Sequence, residues 1–193
     1  LENCINLVIK LGIKKIFLNT FHLSDQIISF IKKKNFQIKI QIIEDGKEIL
    51  DTGGGIFNMM KESSDKDFII FNPDTLWNNT YHEEISKMQN FYFSNKLNNV
   101  LLLANKTLSF DKNLSGDFNL KDDLIYRGDV TNFIYIGCQI LNKNLFNKYD
   151  IKSFPVTEIW NDLLKTNELN GFESVNKFYH LTNLETFRKL EDL

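Results

Sequence analysis

The stretch Glu44-Asp45-Gly46-Lys47-Glu48-Ile49-Leu50-Asp51-Thr52-Gly53-Gly54-Gly55 joins two segments of different period. Before it, Phe36, Ile38, Ile40 and Ile42 alternate with Gln37, Lys39 and Gln41, the two-residue repeat of a half-buried strand. After it, residues 56–61 continue as a helix. The three glycines therefore fall at a strand-to-helix turn, where a helix offers its free backbone N–H groups. Lacking Cβ atoms, Gly53, Gly54 and Gly55 can take positive φ and let a flat or anionic ligand lie against the backbone. A tight turn that merely needs glycine competes with that reading; three glycines in succession after Thr52 favour ligand approach.

Upstream, Leu1, Ile5, Val8, Ile9 and Leu11 recur at helical spacing and Gly12 closes the segment. Residues 14–19 read as a short buried strand, 22–33 as a second amphipathic helix and 36–43 as a strand. Downstream, Phe68-Ile69-Ile70-Phe71 is an uninterrupted apolar run, the pattern of a central parallel strand covered on both faces. Residues 81–95 form a helix and 100–104 a third buried strand. Shorter strands follow over 117–120, 124–127 and 133–141, helices over 144–149 and 157–164, a strand over 172–178 and a closing helix over 183–193. Strand and helix in alternation predict an α/β fold with a mixed, mostly parallel sheet flanked by helices.

The 193 residues, 42% hydrophobic and 25% charged, fit one globular domain over residues 1–193. A net charge of -2 without a basic stripe gives no nucleic-acid footprint and makes a small molecule the expected partner. Cys4 and Cys138 fall in apolar settings, as reduced core thiols of a cytoplasmic protein do. No apolar run approaches the roughly 18 residues of a membrane helix.

In a parallel sheet, ligands bind beyond the carboxyl ends of the strands, so Asn19, the glycine turn and Asp74 are expected to face one crevice. Asp74 follows an apolar run with no Lys or Arg nearby, which suits a divalent cation held by one or two carboxylates and substrate phosphates. A turn aspartate stabilising Asn72-Pro73-Asp74 explains the residue equally well.

Taken together, Leu50-Asp51-Thr52-Gly53-Gly54-Gly55-Ile56, the strand ending in Asn72-Pro73-Asp74, Gly116-Asp117-Phe118, Tyr135-Ile136-Gly137-Cys138-Gln139-Ile140-Leu141 and Phe154-Pro155-Val156-Thr157-Glu158-Ile159-Trp160 resemble the sugar-1-phosphate nucleotidyltransferases. The resemblance is greatest to the branch that contains N-acetylmuramate α-1-phosphate uridylyltransferase. It implies a Rossmann-like domain that joins a sugar 1-phosphate to a nucleoside triphosphate, here UTP, and releases pyrophosphate with the help of Mg²⁺. It further implies nucleotide contacts at Glu44, Thr52, Gly53, Gly54, Gly55 and Asn72, sugar contacts at Asp117 and Gly137, and Mg²⁺ on the catalytic Asp74.

Three departures from the family's pattern stand out. Its first strand and a Gly-rich loop bearing Arg and Lys normally precede the position of Leu1, so the domain is expected to be N-terminally truncated and inactive in this form. Pro73 replaces a small residue, fixing φ and removing an N–H. In Phe178-Tyr179-His180-Leu181-Thr182-Asn183-Leu184-Glu185, His180 stands where the second metal carboxylate is expected, either as a substituted ligand or as a packed histidine. These departures keep a second reading open, a non-catalytic module that binds a nucleotide or sugar phosphate. A dinucleotide oxidoreductase is disfavoured because no Gly-x-Gly-x-x-Gly follows a strand.

Overall fold

The alternation read from the sequence is present in the computed structural model, which describes residues 1–181 and 183–191. Helix α1 (Glu2–Lys10) leads to strand β1 (Lys15–Thr20), α2 (Ser24–Lys34) to β2 (Lys39–Glu44), and α3 (Asp51–Lys61) to β3 (Asp67–Phe71). Helix α4 (Tyr81–Ser94) and β4 (Asn99–Asn105) follow, then the hairpin strands β5 (Asn119–Lys121) and β6 (Leu124–Tyr126), and β7 (Phe133–Asn142). The chain ends with α5 (Thr157–Lys165), β8 (Gly171–Ser174) and α6 (Leu184–Glu191). Gly12 closes α1 at φ 76°, a conformation that a Cβ would penalise.

Three elements differ from expectation. The helix over 144–149 is a single 3₁₀ turn, Lys143–Phe146, and the strand over 172–178 stops at Ser174. The closing helix spans Leu184–Glu191, while Thr182 and residues 192 and 193 lie outside the described residues.

Four strands form one sheet in the order β3-β7-β4-β8, in which β7 runs against both neighbours and β4 is parallel to β8. β1 and β2 form a parallel pair of their own, and β5 with β6 forms a hairpin. β4 and β7 are the inner strands, and in β4 Val100 through Ala104 are fully buried. Its side chains alternate between two cores. Val100, Leu102 and Ala104 pack with Cys4 and Leu7 of α1 and with Ile85 and Met88 of α4. Leu101 and Leu103 pack with Ile56 and Met60 of α3 and with Ile159 and Trp160 of α5. Cys4 and Cys138 are buried free thiols, as expected, and burial pushes the Cys4 thiol up to about 12. Among the described residues no helix is long and apolar enough to cross a membrane.

The apolar run of β3 reads as a central parallel strand, yet β3 is an edge of its sheet. Among the described residues it pairs only with antiparallel β7, and each of its 5 residues is partly exposed. Beside it lies a cleft of about 770 Å³, which separates β3 from β1 and is lined by apolar side chains of both strands.

Candidate active site at the carboxyl end of β3

Beyond Phe71 the chain is held by the neighbouring strand and by the segment after β8. The Asn72 N–H donates to the Gly137 carbonyl at 2.7 Å, and the Thr75 hydroxyl donates to the Ile136 carbonyl at 2.9 Å. Trp77, buried, donates its indole N–H to the Asn72 carbonyl at 2.8 Å. Residues 74–76 pair antiparallel with 179–181: Leu76 N–H donates to the Tyr179 carbonyl (2.9 Å), Leu181 N–H to the Asp74 carbonyl (2.8 Å), and Thr75 bridges His180. That pairing sets two side chains distant in sequence next to each other, with His180 Nε2 3.1 Å from Asp74 Oδ2. The hydrogen bond from His180 holds the Asp74 carboxyl below its usual range, against partial burial, and the same bond raises the imidazole.

Gly137 makes this arrangement possible. At φ 85° it sits where the β4–β7 register slips, since Leu101 faces Gln139 but Leu103 faces Tyr135. The irregularity turns the Ile136 and Gly137 carbonyls toward residues 72–75, as bulges beside functional sites do. A Cβ on Gly137 would stand 2.9 Å from Asn72 Cβ. The space that glycine leaves here is taken by the chain's own Asn72.

The glycine triplet also departs from expectation. Gly53, Gly54 and Gly55 lie inside the first turns of α3, are buried, and have no positive φ; the left-handed residue is Asp51 at φ 57°. A Cβ on Gly53 would overlap the Phe154 ring, and one on Gly54 the Lys152 carbonyl oxygen. The Gly53 and Gly54 N–H groups donate to the Phe154 carbonyl at 2.9 and 3.1 Å, and the Thr52 hydroxyl accepts from Val156 N–H at 2.9 Å. The triplet thus lets the loop before α5 close onto the start of α3. The third glycine meets another strand end, for a Cβ on Gly55 would stand 2.9 Å from Asn19 Nδ2.

Glu44 is the exposed last residue of β2, in register with Thr20 of β1. Next to it Asp45, which the sequence reading passed over, accepts from Asn19 Nδ2 at 3.1 Å through Oδ2, while its buried Oδ1 has no partner. Asp117 accepts from the Tyr135 N–H at 2.9 Å; partial burial raises its carboxyl, opposed by that bond and by Arg127. Tyr135, also missed, packs edge-on to Trp160 at 4.8 Å, and its buried phenol is raised further by nearby Asp74. Trp160 in turn donates to Gln139 Oε1 at 3.0 Å. Asp74 therefore touches His180, and Asn72, two residues earlier, touches Gly137, while Asp117 is bonded to Tyr135 two residues before that glycine. Glu44, Thr52 and the glycines stand at the adjoining ends of β2 and α3.

The contact between Asp74 and His180 bears on metal binding. Two neighbouring ligands of an octahedral ion with bonds of about 2.1 Å lie roughly 3.0 Å apart, so an Oδ2–Nε2 pair at 3.1 Å has the separation of a ligand pair. Among the described residues no three His, Cys, Asp or Glu gather. A divalent cation would take at most these two protein ligands, the rest coming from phosphates and water, which is how Mg²⁺ is commonly held. Asp74 fits that donor set; imidazole is the poorer partner for Mg²⁺.

No family model matches the chain, and neither does any curated protein. Solved structures do. HddC from Yersinia pseudotuberculosis is 21% identical over 97% of this chain and 82% of its own, with a TM-score of 0.75. A UDP-glucose pyrophosphorylase complexed with UDP-glucose is 12% identical over 99% of this chain and 84% of its own, with a TM-score of 0.75. A putative glucose-1-phosphate thymidylyltransferase from Bacillus anthracis is 12% identical over 99% of this chain and 80% of its own, with a TM-score of 0.77. At these identities the likeness concerns the backbone, and the chain shares with these structures a Rossmann-like α/β fold, a mixed sheet flanked by helices.

Proposed function

We propose that the protein transfers a nucleotidyl group from a nucleoside triphosphate to a sugar 1-phosphate. The observation that carries this reading is the Asp74 carboxylate, which stands beyond the carboxyl end of β3 beside His180 and pairs with no Lys or Arg among the described residues. In the reaction a phosphate oxygen of the sugar 1-phosphate forms a bond to the α-phosphorus, the bond from that phosphorus to the bridging oxygen breaks, and pyrophosphate leaves with the electron pair. No protein nucleophile is required, so the site contributes positioning and charge compensation.

Asp74 takes the metal, with His180 as the second candidate ligand; the cation, when bound, neutralises the phosphate oxygens in the transition state. The nucleotide lies along Glu44, Thr52 and Asn72, with Gly53 to Gly55 beneath it keeping α3 close to its neighbours. Asp117 accepts hydrogen bonds from sugar hydroxyls, and Gly137 keeps Asn72 and Asp74 in place. Resemblance favours UTP, an N-acetyl amino sugar phosphate such as N-acetylmuramate 1-phosphate, and a role in cell-wall precursor metabolism in the cytoplasm.

A second reading, a non-catalytic module that binds a nucleotide or sugar phosphate, is favoured by the hydrogen bond that already occupies Asp74 and by Pro73 beside it. Metal-dependent pyrophosphate release by the natural polypeptide, measured over a panel of nucleoside triphosphates and sugar 1-phosphates, separates the two. Turnover highest in kcat/KM with UTP supports the full proposal. A preference for GTP or CTP refutes the choice of nucleotide, and binding without turnover selects the second reading.

A further inference from the structure

The segment that carries His180 has two sides. Along one edge it pairs with 74–76; along the other, the Phe178 N–H donates to the Leu108 carbonyl at 3.0 Å and the Phe110 N–H to the Phe178 carbonyl at 2.8 Å. Successive side chains of an extended segment point to opposite faces. His180 shares a face with Phe178, their rings stacked at 5.8 Å, and there it meets Asp74. Tyr179 points the other way, into a separate cavity of about 380 Å³.

This volume falls in the range of small-molecule sites, where aromatic walls carry a few placed polar groups. The Tyr179 ring stands 5.6 Å from that of Phe110, and Lys112 and Lys177 line the same cavity. Lys112 donates to the Thr107 carbonyl at 3.0 Å, which fixes its ammonium and leaves two of its three protons for a ligand. Lys177 is anchored through its backbone, whose carbonyl accepts from the buried Tyr81 hydroxyl at 3.0 Å. Its ammonium and the Tyr179 hydroxyl have no partner among the described residues. No carboxylate among the described residues lines the cavity. The nearest in sequence, Asp111, accepts from the Asn113 N–H and acts on His180 and on Glu185 and Lys189 of α6. Two ammonium groups without a compensating carboxylate suit a phosphate monoester, which brings about two negative charges.

We propose that this cavity binds a phosphate-bearing ring compound, with the ring against Phe110 and Tyr179 and the phosphate held by Lys112 and Lys177. The site is separate from the one at Asp74, on the opposite face of residues 178–181, and the inference holds whatever reaction Asp74 serves. A nucleotide and a sugar phosphate both present this chemistry.

Titration of the natural polypeptide with inorganic phosphate, UMP and glucose 6-phosphate, followed through the backbone amide resonances, tests this. Saturable shifts are expected at 107–112 and 177–179, with at least one ring compound binding about fivefold or more tighter than inorganic phosphate. Tighter binding of UMP identifies a nucleotide as the ligand, and tighter binding of glucose 6-phosphate a sugar phosphate. Lys177→Gln, at an exposed and unpaired side chain, should weaken binding by about tenfold or more without changing Tm, and Lys112→Gln should do likewise. Asp74→Asn should leave these shifts unchanged. Shifts confined to 44–55 and 72–74, equal affinity for all three compounds, or unaltered binding by both lysine variants overturns the proposal.

Discussion

His180 and Asp74 meet across 3.1 Å, so the carboxylate that follows β3 is held by an imidazole. The contact raises the histidine and lowers the aspartate, and the two shifts act in different pH ranges. The contribution of His180 is complete below the ordinary imidazole value of about 6.5 and fades as pH rises through the raised value. That of Asp74 is complete above the ordinary carboxyl value of about 3.9 and fades as pH falls through the lowered one. Together they act fully between about pH 4 and 6.5. His180→Ala should lower Tm most in that window, by a few degrees at most because both side chains are partly exposed, and the gap should close as the medium becomes alkaline. A Tm difference that stays constant from about pH 5 to pH 9 contradicts this account.

The same pair governs metal use under the proposed reaction. Asp74→Asn in the natural polypeptide should lower Tm by no more than the few degrees that the pair with His180 contributes, and lower pyrophosphate release by about a hundredfold or more, since a preorganised charge is removed. Chelation should abolish release, and Mn²⁺ should restore it better than Mg²⁺ because imidazole suits the softer ion. His180→Asp should move that preference toward Mg²⁺. Unchanged activity of Asp74→Asn at limiting metal rules out Asp74 as the ligand.

The glycine triplet has a stability consequence that does not depend on any ligand. Gly54→Ala puts a Cβ into the Lys152 carbonyl oxygen, a backbone atom that no rotamer change can move, so the loop before α5 must shift. Overpacking of this kind costs about 1–3 kcal/mol, and loss of the N–H bond to Phe154 adds to it. Gly128→Ala is the control, for its new Cβ meets the side-chain nitrogen of Asn119 at 3.2 Å and the Val130 carbonyl oxygen at an ordinary 3.9 Å. Urea unfolding should show a much lower midpoint for the first variant than for the second, and equal midpoints would mean the loop yields freely.

The contrast between β4 and β3 shows how far the sequence could be read. Val100-Leu101-Leu102-Leu103-Ala104 and Phe68-Ile69-Ile70-Phe71 carry the same signal, and both are strands, yet the first is an inner strand and the second an edge. Side-chain pattern reports what the faces meet; it is silent about which backbone edges are paired. The glycines were legible as positions where a Cβ is excluded, but what excludes it is the loop of Lys152 and Phe154, about a hundred residues later, and for Gly55 the side chain of Asn19. Asp74 was legible from its place after an apolar strand. His180 was legible only by resemblance, because its proximity to Asp74 arises from the pairing of Thr75 with His180. Asp45 gave no signal of its own and Tyr135 only as part of a segment that carries the resemblance, for neither spacing nor neighbours distinguish a buried orphan oxygen from an ordinary polar residue.

The last prediction concerns turnover by residues 1–193 alone. A triphosphate brings several negative charges to the carboxyl end of the sheet, and among the described residues Asp74 and His180 add one carboxylate and one imidazole there. The N–H groups at the start of α3 are committed, Gly53 and Gly54 to Phe154 and Thr52 to Asp51. Their dipoles cannot be redirected to a phosphate without breaking the contact between α3 and the loop before α5. Charge developing on the leaving pyrophosphate would then rest on the cation, and each preorganised donor missing from such a site costs about two to three powers of ten in rate. Residues 1–193 should release no measurable pyrophosphate with any nucleoside triphosphate and sugar 1-phosphate. Robust turnover by residues 1–193 would mean that the donors lie within the chain described here. Absence of turnover from the natural polypeptide, with nucleotide binding intact, would move the assignment to the non-catalytic reading.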